Sequence, residues 1–446
     1  MGMFKWLYPG IGIKRWVFLI IIGIGFIVSG LLFIIGTTYF IQYIQIITRI
    51  SSFFDRKVYT LLIGVFSMII GIVLLVFSVR KFLISLAAYV PPKNEEKLLD
   101  IIYQKHHLKK GPKIVAIGGG TGLSVLLRGL KEYTDNITAI VTVVDDGGSS
   151  GILRGEMGIL PPGDIRNCLI ALADTEPLME RLFQHRFKSG SLEGHCFGNL
   201  FIAAMTNITG DFQQAVKEFS KVLAVSGTVV PATLENIVLY AETVDGNIIQ
   251  GESSISKGAI PIKRVFIKPS DAKPVKEALD AIREADAVIL GPGSLYTSII
   301  PNLLIKDITE EIKKTSAYKI FIINVMTERG ETSNFTASDH INLINEYFGS
   351  DIYDCILINT GNIPHSILER YKGEGAEPVI PDLEKIKPLG KDIVCGDFIN
   401  KETVVRHDPD KLAREIIELI VKKKYANDKL KIFDLLYWEE KLKLKF

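Results

Sequence analysis

Lys113–Leu123, KIVAIGGGTGL, limits the fold of this chain more than any other stretch. Ile114 to Ile117 is a short, continuous apolar run of the kind that forms a buried strand. It runs directly into Gly118, Gly119, Gly120, Thr121 and Gly122, after which Leu123, Leu126, Leu127 and Leu130 recur on one face of a helix. Strand, glycine turn and helix in succession are how an α/β protein offers backbone N–H groups and a helix N-terminus to a phosphate. Any Cβ on the turn would hold the phosphate off the backbone, and glycine also tolerates a positive φ. The match to the dinucleotide fingerprint is incomplete, because Leu123 stands where the third glycine would be when counted from Gly118. No Lys-Ser/Thr pair follows, so the turn is not a Walker A loop either.

The next strand pattern, Ile137–Val144, ends in Asp145, Asp146, Gly147, Gly148, Ser149 and Ser150. A carboxylate at the end of a second strand is placed to hold a ribose hydroxyl. An adjacent pair also suits Mg²⁺ or the orientation of an acceptor hydroxyl, and an acidic turn capping a helix accounts for the same residues. Further strands are expected at Lys113–Ile117, Ala287–Leu290, Lys319–Asn324 and Cys355–Asn359, alternating with helical segments as in an open parallel sheet. Between Lys221 and Ile267 the pattern turns β-rich, and it reads as an inserted layer with a hairpin turn at Asp245–Gly246. The expected class is α/β: a Rossmann-like, open, mainly parallel sheet with a β-rich insertion.

Two stretches ahead of this body are apolar enough for a bilayer. Val17–Gly36 is an uncharged run of about twenty residues, and Val58–Ser78 is a second, between Lys57 and Arg80. With Trp16, Tyr39, Tyr43 and Tyr59 near the expected interfaces, they read as a two-helix transmembrane hairpin rather than a cleaved leader. Lys5, Lys14 and Arg15 before it and Arg80, Lys81, Lys93 and Lys97 after it outnumber Arg49, Arg56 and Lys57 between the spans. Both ends and the large domain are therefore expected in the cytoplasm, at the cell (inner) membrane. The four cysteines, Cys168, Cys196, Cys355 and Cys395, are scattered without C-x-x-C spacing, which fits a reducing compartment and points to neither zinc nor a disulfide framework. A formal net charge of +2 gives no electrostatic case for nucleic acid as a partner. The expected organisation is a hairpin over residues 1–90, a linker over 91–111 with one helix at Glu95–Gln104, and a nucleotide-binding domain over 112–421. A basic amphipathic tail follows over 422–446, which either packs on the domain or lies on an anionic leaflet.

Other residues carry candidate chemistry. In LPPGDIRNCL, Asp164 is placed to cap a helix whose first turn holds Arg166 and Asn167. An Arg at a helix N-terminus is disfavoured by the macrodipole, so Arg166 is a candidate phosphate ligand, or one half of an Arg–Asp pair. In GHCFGNL, His195 and Asn199 fall about one helical turn apart, and His195 serves either as an acid/base group or as an ordinary core histidine. Cys196 reads as small packing. LGPGSLYTS is a second strand-to-helix glycine turn, in which Gly291 and Gly293 free the backbone and Ser294 can cap the helix. Tyr296 either stacks on a base or packs on the sheet end. Asn324, Thr327 and GETSNFTASDH lie beyond another strand end, on the same carboxyl edge.

Taken together, AIGGGTGLSVLLRGLK, VVDDGGSSG, LPPGDIRNCL, GHCFGNL, GPGSLYTSIIPNLL and NVMTERGETSNFTASDH resemble the YvcK/CofD-like family, and within it the bacterial gluconeogenesis-factor branch. The resemblance runs from about Lys113 to Leu419. It implies a Rossmann-like fold that binds UDP-sugars such as UDP-N-acetylglucosamine, with a role in cell shape and envelope synthesis on gluconeogenic carbon sources, and a homodimer. It also implies a kinship with transferases that move a phospholactyl group from a guanosine diphosphate carrier to a deazaflavin with Mg²⁺. By motif, Gly118–Gly122 would approach the phosphates. Asp145 and Asp146 would be the metal or acceptor carboxylates, Gly291–Ser294 and Tyr296 would line the nucleotide side, and His195 and Asn199 would complete the crevice. The hairpin and the basic tail depart from the soluble pattern of the family. Two functions stand side by side at this point: a UDP-sugar-binding regulator at the membrane without turnover, and a Mg²⁺-dependent transferase acting on a nucleotide diphosphate-linked donor. An NAD-dependent oxidoreductase is disfavoured by the missing third glycine and the doubled Asp.

Overall fold

The computed structural model describes residues 14–35, 56–87, 107–174, 177–258, 260–364, 368, 375–400 and 405–425. The chain divides into two units, residues 1–105 and 106–446. The expected linker helix at Glu95–Gln104 and the tail beyond Tyr425 lie outside the described residues.

In the first unit, helices Lys14–Ile35 and Arg56–Ala87 pack together through glycines spaced seven apart. A Cβ at Gly30 would stand 2.7 Å from the Gly64 carbonyl oxygen, and one at Gly71 would stand 2.7 Å from that of Gly23. Small residues thus bring the two backbones into contact, as apolar helices need when no hydrophobic drive separates them from their surroundings. The outward faces are apolar, with Phe18 and Phe66 about two-thirds exposed. Both helices are long and apolar enough to cross a membrane, over Arg15–Ile34 and Leu61–Phe82.

The second unit is built on a seven-stranded sheet. Its strands are β1 (Ile114–Gly118), β2 (Ile137–Val141), β3 (Thr228–Pro231), β7 (Ala287–Leu290), β8 (Tyr318–Ile322), β9 (Cys355–Asn359) and β10 (Asp392–Gly396). A separate three-stranded antiparallel sheet holds β4 (Val238–Thr243), β5 (Ile248–Gln250) and β6 (Ile262–Lys268). The order in the large sheet is β10-β9-β8-β7-β1-β2-β3, and every neighbouring pair is parallel. The central strands β1, β7 and β8 are buried along their whole length, as continuous apolar runs covered by helices on both faces should be. Leu123, Leu126, Leu127 and Leu130 of helix Gly120–Leu130 are fully buried on the side facing the core, as their spacing predicts.

The insertion is smaller than the sequence suggests. β3 was expected within the inserted β-rich layer, but it pairs with β2 from Thr138↔Thr228 to Val141↔Pro231 and forms one edge of the main sheet. Pro231 suits an edge, where a missing N–H costs no ladder bond. Only β4, β5 and β6 form the added layer, and the β4–β5 hairpin turns at Asp245–Gly246 as expected. β10, a half-exposed strand, forms the opposite edge and was not anticipated.

The chain leaves β1 toward β2 and β3, then returns to β7 on the other side of β1 and continues outward to β10. The carboxyl ends of β1 and β7 therefore flank a topological switch point, where open α/β sheets leave a crevice for ligands.

Candidate functional site

Both glycine turns open onto that crevice. Gly120 begins its helix at φ +63°, a left-handed conformation in which glycine carries no Cβ penalty. Gly122 sits two residues further on, where a Cβ would stand 2.5 Å from the Pro292 carbonyl oxygen. The turns after β1 and β7 are thus in backbone contact, and a side chain at Gly122 would wedge them apart. Two amides fix the arrangement. Asn324, at the end of β8, accepts from the Gly293 N–H (3.1 Å) and donates to the Gly293 carbonyl (2.9 Å). Asn302 donates to the Gly118 carbonyl at 3.1 Å and ties the segment after the second turn to the end of β1.

The cleft between the turns has a volume of about 500 Å³. Gly119, Gly120, Thr121 and Gly122 line one side, and Pro292, Gly293, Ser294 and Ser298 line the other. Met326, Thr327, Glu328 and Arg329 beyond β8, and Val405, Arg406 and His407 near the C-terminal helix, close it. Sequence reasoning placed Thr327 on this edge but missed Glu328, Arg329 and the 405–407 segment. The last of these reaches the cleft from almost three hundred residues away, and no local pattern announces it. Arg329 and Arg406 are exposed cations on the rim. His407 is buried against the Ile323 carbonyl, and burial pushes its pKa down to about 4, so the ring is neutral near pH 7.

Beside this cleft, at the end of β2, lies a second polar cluster. Asp145 accepts from the Gly147 N–H (2.9 Å), and Asp146 accepts from the Ser253 N–H of the insertion (2.8 Å). Arg166 is buried and donates to Asn199 (2.6 Å) and Asn167 (2.7 Å), so its hydrogen bonds go to amides rather than to an aspartate. His195 precedes Cys196, the N-cap of helix Phe197–Thr209, and its Nδ1 lies 3.3 Å from the Ser149 hydroxyl. Cys196 is buried with its thiol on the Phe183 carbonyl, as packing predicts. Asp145, Asp146, Arg166, His195 and Asn199 do not line the 500 Å³ cleft. His195 and Asn199, expected to complete the crevice, stand in this neighbouring cluster rather than in the wall of the cleft.

Asp164 joins the two regions. It does not cap its own helix, whose N-cap is Pro162 and carries no side-chain bond. Its carboxyl reaches across instead, to accept from the Gly120 N–H and to fill the space where a Cβ on Gly119 would go. Complete burial, and after it the charge of Asp145, push its pKa up to about 7, against the opposing pull of the Gly120 N–H and Arg166. Glu252 of the insertion is likewise pushed up to about 7, first by burial and then by Asp145, Asp164 and Asp146.

Two residues of the second turn also take up defined places. Tyr296 is only 1% exposed, packs edge-on to Phe335 and is absent from the cleft wall, so it serves the core rather than a stacked base. Residues Leu295–Ile299 form a π-helical turn that carries the ring inward. Ser294 holds the N-cap position without a side-chain cap; its hydroxyl instead bonds to Glu328 across the cleft.

Among the described residues, buried polar atoms without a partner gather around this site: Thr142 Oγ1, Arg166 Nε, Asn302 Oδ1, Glu331 Oε2 and His407 Nε2. Buried groups of that kind call for water or a ligand. Among the described residues no three His, Cys, Asp or Glu side chains converge as a metal site. Asp145 and Asp146 each keep one carboxylate oxygen outside the hydrogen bonds named above. That donor set suits Mg²⁺, which takes one or two carboxylates and completes its shell with water and substrate phosphates.

Residues 114–399 match the family described as 2-phospho-L-lactate transferase CofD. A Bacillus subtilis protein named gluconeogenesis factor is 54% identical over 69% of this chain and 98% of its own length. A relative from Clostridium acetobutylicum is 46% identical over 99% of this chain and 97% of its own length, so the similarity extends through the apolar N-terminal helices. Among solved structures, a UPF0052-family protein from Bacillus halodurans is 52% identical, with a TM-score of 0.67 over 69% of this chain and 99% of that one.

Proposed function

The chain belongs to the CofD family and resembles its members named gluconeogenesis factor, and from that premise we propose that it is a membrane-tethered regulatory protein that binds UDP-sugars of the UDP-N-acetylglucosamine type and supports cell shape and envelope synthesis during gluconeogenic growth. The observation that carries this reading is the contact between the two glycine turns at the switch point. It leaves the Thr121 and Gly122 end of a helix, with its positive dipole, open to a diphosphate. Arg329 and Arg406 add charge on the rim, and the neutral His407 and the amide-braced backbone supply a preformed polar wall. A regulator needs such a crevice and a change on binding, but no turnover. The paired apolar helices would hold it at the inner face of the membrane, with the large unit in the cytoplasm.

One observation favours a second reading. The family description is that of a transferase, and Asp145, Asp146 and His195 lie beside the cleft at the end of β2. In that reading the aspartates hold Mg²⁺ against the diphosphate of a nucleotide-linked donor, and the metal offsets phosphate charge. His195 would then accept or donate a proton through Ser149.

A thermal-shift screen of the full chain in detergent micelles tests the choice, using UDP-N-acetylglucosamine, UDP-glucose, GDP with Mg²⁺, and NAD. A ligand at a hundred times its Kd adds about 2.7 kcal/mol to stability. Selective stabilisation by UDP-sugars with no product on incubation supports the regulator. Stabilisation by GDP with Mg²⁺ alone supports the transferase, and no shift with any of the four overturns both.

A further inference from the structure

Glu328 and Glu331 stand three residues apart on the loop after β8, and among the described residues neither forms a salt bridge. Glu328 faces the cleft and takes a hydrogen bond from the Ser294 hydroxyl. Glu331 lies behind it, 6% exposed, with Oε1 accepting from Ser256 of the insertion (2.9 Å) and from Thr297 (3.0 Å). Among the described residues its Oε2 has no partner. The other groups facing the pair are Glu252 from the insertion, Tyr296 from the π-helical turn and Thr332 from the same loop. Arg329 and Arg406 stand on the rim, and His407 is neutral. Two adjacent carboxylates raise each other's pKa, most of all where one of them is buried with no cation in contact. Burial, and then the charge of Glu328, push Glu331 up to about 8, so Glu331 holds a proton near neutral pH; burial also raises Glu328.

An anion seated at Gly293 and Ser294 would meet Glu328 directly. We propose that the cleft binds its anionic ligand together with a proton: Glu328 takes up one proton from solvent and, as a neutral acid, donates it to an oxygen of the ligand. This rests on the reading of the cleft as a phosphate site, and it assigns Glu328 as a ligand-binding residue with Glu331 as its positioning partner. The proton enters as the anion arrives and leaves with it, and no covalent bond changes. Such a site favours a dianionic phosphate over a neutral sugar of similar shape, because only an anion raises Glu328 further.

Calorimetric titration of the full chain in micelles with UDP-N-acetylglucosamine, run at pH 7.5 in Tris and in HEPES, measures the proton directly. The expected result is a buffer-dependent enthalpy that corresponds to uptake of up to one proton per ligand, with affinity falling up to tenfold per pH unit above neutrality. Glu328→Gln is expected to remove the buffer dependence, whereas Glu331→Gln, which keeps the Oε1 acceptor for Ser256 and Thr297, is expected to retain it. Binding with the same enthalpy in both buffers would overturn the proposal and leave Glu328 as an ionised acceptor of ligand hydroxyls. Buffer-dependent heat from inorganic diphosphate that Glu328→Gln abolishes, with none from the sugar nucleotide, would sink the UDP-sugar reading and sustain this one. Silence from both probes would overturn both.

Discussion

Replacing Gly122 with alanine tests the contact on which the cleft depends. The new Cβ would stand 2.5 Å from the Pro292 carbonyl oxygen, 2.9 Å from its carbonyl carbon and 3.0 Å from the Gly293 Cα. All three are backbone atoms of the opposite turn, and that turn is held by two bonds from Asn324. No side chain can swing aside, so relief requires the turns to separate. Overpacking of this kind costs about 1–3 kcal/mol, and a backbone clash belongs at the upper end. Alanine for glycine inside a helix returns about 1 kcal/mol. The net loss is therefore roughly 1–2 kcal/mol, or a fall of roughly 1.5–3 °C in Tm for a domain of this size. Gly155 is the internal control, because it is exposed in helix Gly148–Met157 and a Cβ there meets nothing within 4 Å. Gly155→Ala should raise stability by about 0.5–1 kcal/mol. Circular-dichroism melts of the two variants and the parent in micelles give the stabilities, and titration with UDP-N-acetylglucosamine gives the affinities. Gly122→Ala should melt lower and bind at least tenfold more weakly, whereas Gly155→Ala should melt higher and bind normally. If Gly122→Ala keeps both the melting point and the affinity of the parent, the turns are not in the contact described.

Three further outcomes follow from the site. The folded-state pKa of Asp164, about 7, lies above the ordinary value of 3.8, so the native carboxyl keeps a proton that the unfolded one has released. Its stability contribution is complete below about pH 4 and is lost as pH rises through about 7, by up to about 4 kcal/mol. Asp164→Asn should flatten that part of a Tm-against-pH curve between pH 5 and 8 and leave the slope from Glu252, and an unchanged curve would contradict the burial of Asp164. Tyr296→Phe should leave UDP-N-acetylglucosamine affinity within about twofold, because the ring faces the core, and a tenfold loss in the same titration would return it to the ligand. Asn324→Ala, which removes both bonds to Gly293, should cost about 1–3 kcal/mol in a denaturant melt and weaken binding, and a loss below about 0.5 kcal/mol would mean that the second turn is held some other way.

The glycine turns were legible in the sequence because their signal is local: an apolar run, a glycine cluster and a helical stripe follow one another without interruption. The same holds for β9, which begins and ends at the residues its pattern indicates. Edges were harder. The TVVP of β3 reads like the strands after it, and only pairing with β2, almost ninety residues earlier, assigns it to the main sheet. β10 alternates weakly because half of it faces water. Side-chain direction was the least legible feature. Asp164 has the position of a helix cap, yet its carboxyl serves the Gly120 N–H in another element. Tyr296 has the composition of a stacking residue, yet a turn of π-helix points it at Phe335. In the far wall of the cleft, Val405–His407 is brought in by tertiary contact alone and belongs to no short motif, while Glu328–Arg329 lie inside NVMTERGETSNFTASDH, whose pattern does not show which side chains face the cleft.

Backbone hydrogen exchange of the full chain, with and without UDP-N-acetylglucosamine, tests the central claim most directly. If the nucleotide diphosphate sits between the turns after β1 and β7, the amides of Gly119–Leu123 and Gly293–Ile299 should exchange more slowly together on binding. Protection confined to Asp145–Ser150 and Arg166, with both glycine turns unchanged, would place the ligand in the neighbouring cluster and contradict the account.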